Sequence, residues 1–382
     1  MLDRKRKIVF AVSVAAVLFF AAGNFVATKM DSKTPFRPLS IFGEVISYVS
    51  TDYVEDVDER KAMRGAFAGF MEGLDPMCDF IEKEEIPRYD SVLAQARTHP
   101  VAVTRRYGYA YVMQVLPGST ADQDGLKRGD YIRAIDHKST REMSLFQIRD
   151  ALVSQHTSEL MVVRDNWRAD PILITLHPAA ARPGPSAKVA RRDGTTIVTV
   201  TRLRSGASGV LRTALLEMKA AGALNSGRLV LDLRGCVGDD YDEAVRLIAR
   251  LVGDGDLASR RGRAAKPDSY KADPAAYIGT PRCVLLVDGF TCGAAEIVAA
   301  SLKSRGLAKI FGDKTYGYTR EQRLYLLSDG SGAVLSTYEW TPPDGSTITG
   351  KGVDPDVPRE PKPDAELPDP LLDDAIRYLL VE

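Results

Sequence analysis

The sequence predicts an α/β fold with a smaller α+β domain ahead of the main core. In the C-terminal half, apolar β-branched runs alternate with stretches at helical spacing, as where Val284–Val287 precedes Ala294–Leu302. Between residues 96 and 178 the apolar runs are short and separated by glycine-containing turns, which predicts a strand-rich domain. Near the N-terminus, Ile8–Ala27 forms an apolar stretch of the length that crosses a bilayer.

Composition excludes some function classes. The chain has 382 residues with 51 basic and 51 acidic side chains, so it has no net charge that would attract nucleic acid. The four cysteines show neither CxxC nor Cys/His metal spacing, so we expect no metal and no cofactor. These cysteines are Cys78, Cys236, Cys283 and Cys292.

Residues 1–30 predict a membrane anchor. A basic cluster, Asp3–Lys7, precedes the apolar stretch Ile8–Ala27, and positive charge marks the cytoplasmic end of a membrane helix. We therefore expect the rest of the chain on the exported, periplasmic side of the inner or plasma membrane. A cleaved signal peptide is the alternative, although the apolar stretch is longer than the usual signal core and no A-x-A site ends it.

Residues 31–95 are predicted to form a helical region. A linker, Lys33–Pro38, leads to Leu39–Asp52, where apolar residues recur at helical spacing. A second helix is predicted at Asp58–Gly73, which begins at an acidic cap.

Residues 96–178 predict strands at Tyr109–Leu116, Tyr131–Ile135, Met161–Arg164 and Ile172–Leu176, with a helix at Ser144–Ser154. This order resembles a PDZ domain, and so do the residues Gly125, Leu126, Gly129, Asp130 and Ile135. The resemblance implies binding of protein or peptide C-termini through a glycine-rich loop. In this sequence the loop falls at Thr98, His99 and Pro100, and proline has no N–H to donate.

Residues 179–382 predict the α/β core. Its predicted strands are Thr196–Val200, Arg228–Leu233, Val284–Val287 and Ala308–Phe311, followed by a hairpin of Arg323–Leu327 and Ala333–Glu339. Its predicted helices are Gly209–Ala221, Asp242–Leu251, Ala294–Leu302 and Asp369–Leu380. A strand that feeds a helix through a tight turn presents turn residues and free N–H groups at a sheet edge. The turn at Asp288–Gly293 is therefore the expected site.

Two segments resemble the carboxyl-terminal processing peptidases, also called tail-specific proteases. Thr291–Glu296 is similar to the Ser-Ala-Ser-Ala-Ser-Glu elbow of that family, and Tyr316–Gln322 is similar to its Phe-Gly-Lys-Gly-x-x-Gln stretch. The resemblance places Gly293 at the nucleophile position, Tyr318 at the position of the lysine base and Gln322 at that of the residue that orients the base. It also covers the Leu74-Asp75-Pro76 that follows the second predicted helix.

The resemblance also implies an oxyanion site. Gly235–Asp240 takes the place of the Asn-Asn-Pro-Gly-Gly loop of the family, so the backbones of Gly238 and Ala294 would donate to the oxyanion. Asp239 replaces the second glycine of that loop, and its carboxylate would oppose the developing negative charge.

Together these patterns predict an α/β peptidase-like core with an inserted-type PDZ domain, an N-terminal helical region and a membrane helix. Glycine has no nucleophile, and tyrosine, with a reference pKa of about 10, is a poor base near neutral pH. We expect a catalytically inactive pseudoprotease that binds proteins or peptides, with a homo-oligomer or an active relative as further partners. The alternative is an active peptidase with a rebuilt site, in which Cys292 or Thr291 is the nucleophile.

Overall fold

The computed structural model describes residues 37–164, 170–179, 184–263, 266–359 and 369–381. These residues belong to two units, which divide between Ala66 and Phe67. The predicted membrane segment, Ile8–Ala27, lies outside the described residues. Within the described ranges, no helix combines the length and the hydropathy that a membrane span requires.

The helices that the sequence analysis located begin and end close to their predicted bounds. In chain order, the described helices are α1 (Arg37–Asp52), α2 (Glu59–Glu72), α3 (Tyr89–Thr98), α4 (Thr120–Gln123), α5 (Leu145–Val153), α6 (Ala207–Ala220), α7 (Tyr241–Ala249), α8 (Ala294–Ser304) and α9 (Pro370–Val381). The bounds of α3 and α4 are added by the structure. The predicted linker up to Pro38 was wrong at its end, because α1 already begins at Arg37. Proline is tolerated in the first helical turn, where its missing N–H has no intrahelical partner to lose.

The strands in the described ranges form three larger sheets and one short pair. They are β1 (Asp79–Ile81), β2 (Val101–Arg106), β3 (Tyr109–Val115), β4 (Tyr131–Ile135), β5 (Lys138–Ser139), β6 (Ser158–Val163), β7 (Ile172–Leu176), β8 (Ala187–Arg192), β9 (Thr195–Val200), β10 (Arg228–Asp232), β11 (Val237–Gly238), β12 (Asp256–Gly262), β13 (Asp268–Lys271), β14 (Arg282–Val287), β15 (Cys292–Gly293), β16 (Ala308–Gly312), β17 (Arg320–Leu326), β18 (Gly332–Thr341) and β19 (Val357–Pro358).

The central sheet has the order β19-β16-β14-β10-β9-β8, and its inner strands are parallel. Because side chains alternate across a strand, each of these apolar runs serves two cores. Leu285 and Val287 face α6, α7 and α8 on one side of the sheet. Val284 and Leu286 pack with α9 on the other. Packing on both faces of the sheet therefore fixes the position of the C-terminal end of β14, where the turn to α8 begins.

A second sheet, of order β1-β18-β12-β13 with β17 paired to β18, was only partly predicted. Its strands β12 and β13 have no strong apolar alternation in the sequence. The prediction that residues 31–95 are helical was incomplete, because β1 pairs with β18 of the core. The three residues of β1 are too few to show the alternation of apolar and polar side chains that marks a strand in a sequence. Their pairing with β18 is set by tertiary contacts.

The third sheet has the order β2-β3-β4-β6-β7, with β5 attached to β4. It matches the predicted strand-rich domain, and α5 begins at a capping box in which Ser144 and Gln147 exchange hydrogen bonds. The strand β2 and the preceding helix α3 were not predicted. Among the described strands, β2 pairs only with β3 and therefore forms an edge of this sheet.

The buried carboxylate of Asp79 should make the stability of the protein depend on pH. Its side chain accepts hydrogen bonds from the amides of Phe146, at 2.8 Å, and Phe80, at 3.1 Å. Burial nevertheless raises the pKa of Asp79 from 3.8 to about 6. A carboxyl with a raised folded-state pKa contributes stability below its unfolded pKa, and this contribution is lost as the pH rises through the folded value.

We expect Asp79→Asn to flatten this dependence, since asparagine still accepts from Phe146 but does not ionise. Between pH 4 and pH 7 the wild type should lose about 2–3 kcal/mol of unfolding free energy more than the variant does. Urea unfolding across this range measures the difference. Parallel pH profiles for the two proteins would contradict the assignment.

Candidate active site

The turn between β14 and α8 is held rigidly by Asp288, which is 1 % exposed. Its Oδ1 accepts from the amides of Gly235, at 2.8 Å, and Phe290, at 3.0 Å. Thr291 is fully buried, and its hydroxyl donates to the carbonyl of Leu233 at 2.9 Å. The same hydroxyl accepts from the Asp288 amide at 3.0 Å, so it is engaged on both sides and closed off from solvent.

Gly293, the predicted nucleophile position, lies at the end of this turn with φ +72° and ψ −127°. The short strands β11 and β15 pair in parallel and place Gly238 opposite Gly293. A Cβ atom at position 293 would stand 2.2 Å from the carbonyl oxygen of Gly238. The predicted nucleophile position and the predicted oxyanion loop do meet, but a backbone oxygen fills the space where a nucleophilic side chain would begin.

Tyr318, the predicted base position, is 5 % exposed and part of a hydrogen-bonded group. Its hydroxyl donates to Asp75 at 3.2 Å and accepts from the Gln322 amide at 2.7 Å. Ser336 Oγ lies 2.9 Å from the same hydroxyl. Burial first, and then the charge of Asp75, raise the pKa of Tyr318 far above its ordinary value. The phenol therefore stays protonated and is no base, while Gln322 does contact the residue it was predicted to orient.

Asp75 is a site residue that pattern analysis alone did not assign a role. Burial opposes its ionisation, but hydrogen bonds from Ser336, the Met77 amide, Cys78 and Tyr318 outweigh this effect and lower its pKa. Arg320 Nη1 lies 3.4 Å from its other carboxylate oxygen. In the sequence, Asp75 stood out only as part of the Leu74-Asp75-Pro76 tripeptide that resembles the family. Nothing in the sequence indicated its contact with Tyr318.

Glu296 joins the turn to the segment that carries Tyr318. It is fully buried and accepts from the amides of Gly293 at 3.0 Å, Gly317 at 2.7 Å and Tyr318 at 2.9 Å. The hydroxyl of Thr315 donates to it as well. Burial raises the pKa of Glu296, and these four hydrogen bonds oppose the rise. The carboxylate thereby fixes the distance between the two halves of the site.

Cys292, the alternative nucleophile, is 8 % exposed and packs against Tyr111, Met113, Tyr131 and Tyr318. Burial raises the pKa of its thiol well above the ordinary value, and the neighbouring Glu296 and Cys236 raise it further. A reactive thiolate requires a lowered pKa. Its surroundings thus oppose activation of the sulfur.

The two predicted oxyanion positions, Gly238 and Ala294, both lie in secondary structure at the elbow. Ala294 is the first residue of α8 and is fully buried, while Gly238 is engaged in the β11–β15 pair. The carboxylate of Asp239 forms an ion pair with Arg97 of α3 at 2.9 Å. That pairing offsets part of the negative charge that the sequence placed beside the oxyanion.

The loop at Thr98, His99 and Pro100 offers no free amide. Thr98 ends α3, and the amide of His99 donates to Gln95 at 2.8 Å. Pro100 has no N–H, and the amide of Val101 donates to His99 Nδ1 at 3.3 Å. Burial lowers the pKa of His99 to about 4, so near neutral pH this ring is uncharged and its nitrogen can accept.

Most of these residues line one cavity of about 500 Å³. Its lining includes Gly238, Asp239, Cys292, Gly293, Tyr318 and Gln322, together with His99. Residues of β2 and α5 form another part of the wall. Ala294, Thr98 and Pro100 are not part of the lining. The strand-rich domain and the turn before α8 therefore open onto the same space.

Comparison with known proteins now identifies both domains. Residues 194–359 match the model of peptidase family S41, and residues 111–165 match that of the PDZ domain. The chain therefore contains a peptidase family S41 domain and a PDZ domain. The resemblance to the carboxyl-terminal processing peptidases is confirmed, whereas the domain boundaries at residues 31, 96 and 179 stay predictions.

Sequence relatives match this chain over nearly its whole length. A probable CtpA-like serine protease of Staphylococcus aureus (strain COL) is 24% identical over 353 residues, 91% of this chain and 70% of the relative. A carboxy-terminal-processing protease of Bartonella bacilliformis is 24% identical over 90% of this chain and 82% of the relative. The solved structure of the photosystem II D1 C-terminal processing protease shares the fold with a TM-score of 0.68, at 23% identity over 88% of this chain and 90% of that one.

The S41 domain shows no converging group of three or more His, Cys, Asp or Glu that could hold a metal ion, as far as the structure describes the chain. His137 and His177 stand beside Glu159 and Asp124 at the surface and do not line the cavity.

Substitution of Gly293 should reveal how tightly the S41 elbow is closed. Gly293→Ala adds a Cβ beside the Gly238 oxygen and should cost roughly 3–5 kcal/mol of unfolding free energy. Gly306→Ala is the matched control, because Gly306 also has a positive φ, +67°, but has open space around its Cβ position. The control should cost only about 1–2 kcal/mol.

Urea unfolding of both variants measures the difference between strain alone and strain with a clash. Equal losses for Gly293→Ala and Gly306→Ala would show that the elbow has room for a side chain.

Substitution of Glu296 should uncouple the elbow from the Tyr318 segment. In Glu296→Gln one acceptor oxygen becomes an NH₂ group that faces N–H donors, so we expect a loss of about 2–4 kcal/mol. Glu217→Gln, at an exposed position paired with Arg191, should change stability by about 0.5 kcal/mol or less. Equal unfolding midpoints for the two variants would contradict the role given to Glu296.

Proposed function

We propose that this protein is a membrane-anchored, catalytically inactive S41 homologue that acts by binding the C-termini of proteins or peptides. The observation that carries the proposal is the geometry at Gly293. The S41 elbow there has no nucleophilic side chain, and the Gly238 carbonyl oxygen stands 2.2 Å from the place of its first carbon atom. Nucleophilic catalysis requires an attacking atom directed into the cavity, and this position supplies none.

The second support is the state of Tyr318. A general base has to exist in its deprotonated form near the working pH. Tyr318 is held protonated by burial and by the negative charge of Asp75, and its hydroxyl is occupied by Gln322 and Ser336. Both partners of the family's catalytic pair are thus replaced by groups that stabilise the closed site.

An active peptidase with a rebuilt site is the second candidate, because Cys292 lies on the cavity wall. Its sulfur would have to attack as a thiolate, whereas burial and Glu296 hold the thiol protonated. Thr291 has no access to the cavity, since it is fully buried and hydrogen-bonded to Leu233. Inactivity is therefore the better-supported proposal.

The anchor, the exported location and the partners belong to the same proposal. The basic cluster Asp3–Lys7 followed by Ile8–Ala27 supports an uncleaved membrane helix with the PDZ and S41 domains on the periplasmic side. Association with a second copy or with an active relative is supported by α1, which exposes the apolar side chains of Leu39, Ile41 and Val45.

A cleavage assay tests the proposal. The full chain in detergent micelles is incubated with an unstructured protein that ends in an apolar tail, beside Cys292→Ala, and the products are analysed by mass spectrometry. We expect no cleavage by either protein. Cleavage by the wild type that is lost in Cys292→Ala would overturn the proposal and establish a site rebuilt around sulfur.

A further inference from the structure

The cavity next to the elbow contains one arginine, Arg149, whose guanidinium donates to no oxygen acceptor among the described residues. Five further arginines line it, and each has a carboxylate, amide or carbonyl oxygen as partner. Arg97 pairs with Asp239, Arg202 donates to Gln114, Arg204 donates to the carbonyl of Gly184, Arg260 pairs with Asp268 and Arg320 pairs with Asp75.

Arg149 differs from these five. It lies in the middle of α5, and its Nη2 has the thioether sulfur of Met77 as a neighbour at 3.7 Å. Within the described residues it takes part in no ion pair. The carboxylates of Asp239 and Asp79 act on it only through space, and Asp239 is already paired with Arg97. A half-buried guanidinium without a counter-ion favours the binding of an anion.

The walls around Arg149 suit an apolar chain. Leu152 and Val153 follow it on α5, Val101 and Val103 face the same cavity from β2, and Met113 adds a further apolar side chain. Because β2 is an edge strand among the described strands, its backbone can pair with an extended peptide.

The loop that precedes β2 cannot take the place of Arg149. The amides of His99 and Val101 are engaged with Gln95 and with the His99 ring, and Pro100 has none. A carboxylate that enters this groove therefore meets Arg149, a cation that lacks an oxygen acceptor within the described residues, rather than a set of free amides.

We propose that Arg149 binds the terminal carboxylate of a peptide that lies along β2 with its apolar end in the cavity. This inference rests on the proposed binding function and adds to it the receptor for the charged end of the ligand. A guanidinium forms two parallel hydrogen bonds to a carboxylate, which gives a stronger contact than neutral amides do.

The test is a binding titration by calorimetry on the full chain in detergent micelles. The probes are unstructured peptides that end in Ala, Val, Leu or Phe, each with a free carboxylate and as the C-terminal amide. Arg149→Met removes the charge but keeps an apolar stem of similar length. Arg88→Met is the matched control, since Arg88 is an exposed arginine paired with Asp150 outside the cavity.

We expect the wild type and Arg88→Met to bind the free acid roughly 10- to 100-fold more tightly than the amide. Arg149→Met should bind both forms equally weakly, and Arg149→Lys should recover part of the preference for the acid. The acid-to-amide ratio of the wild type needs no variant, so it tests the carboxylate site even if Arg149→Met fails to fold. The assignment to Arg149 is then tested by Arg149→Lys, which should weaken the preference for the acid.

Each of the other possible outcomes overturns a specific part of the proposal. Equal binding of acid and amide by the wild type overturns the carboxylate site but leaves the binding function in place. A preference that survives in Arg149→Met overturns the assignment to Arg149. Absence of binding by the wild type overturns the proposed function itself, and the inference with it.

Discussion

The buried carboxylate of Glu296 is the interaction on which the geometry of the site depends. It collects three backbone amides and one hydroxyl from two segments that are more than 20 residues apart in sequence, Gly293 being on one side and Gly317 and Tyr318 on the other. A charge removed from water is tolerated only when such donors surround it. The donors are thereby held in one arrangement, and the distance between the elbow and the Tyr318 segment is fixed whether or not catalytic groups are present.

The polar side chains around Tyr318 satisfy one another's hydrogen bonds. The Tyr318 hydroxyl contacts Gln322, Ser336 and Asp75. The charge of Asp75 is in turn balanced by Arg320. A network in which every member is satisfied stabilises the fold and has no free proton acceptor.

Much of the fold and several residues of the candidate site could be predicted from the sequence. Apolar periodicity located β10, β14, α8 and β16, and the resemblance placed Gly293, Tyr318 and Gln322 together, as the cavity does. The sequence did not indicate the contact of Asp75 with Tyr318, because 243 positions separate the two residues and only tertiary packing joins them. The same holds for the pair of Arg97 and Asp239, which are 142 positions apart and are joined only by tertiary packing.

The backbone contact between Gly238 and Gly293 has a consequence for protein engineering. The carbonyl oxygen of Gly238 stands 2.2 Å from the place of a Cβ atom at position 293, so any residue other than glycine meets a steric barrier there. Introduction of a serine at position 293 therefore requires the loop at Gly235–Asp240 to withdraw before, or together with, the substitution. A single replacement cannot install a side chain at this position without a change in the backbone that faces it.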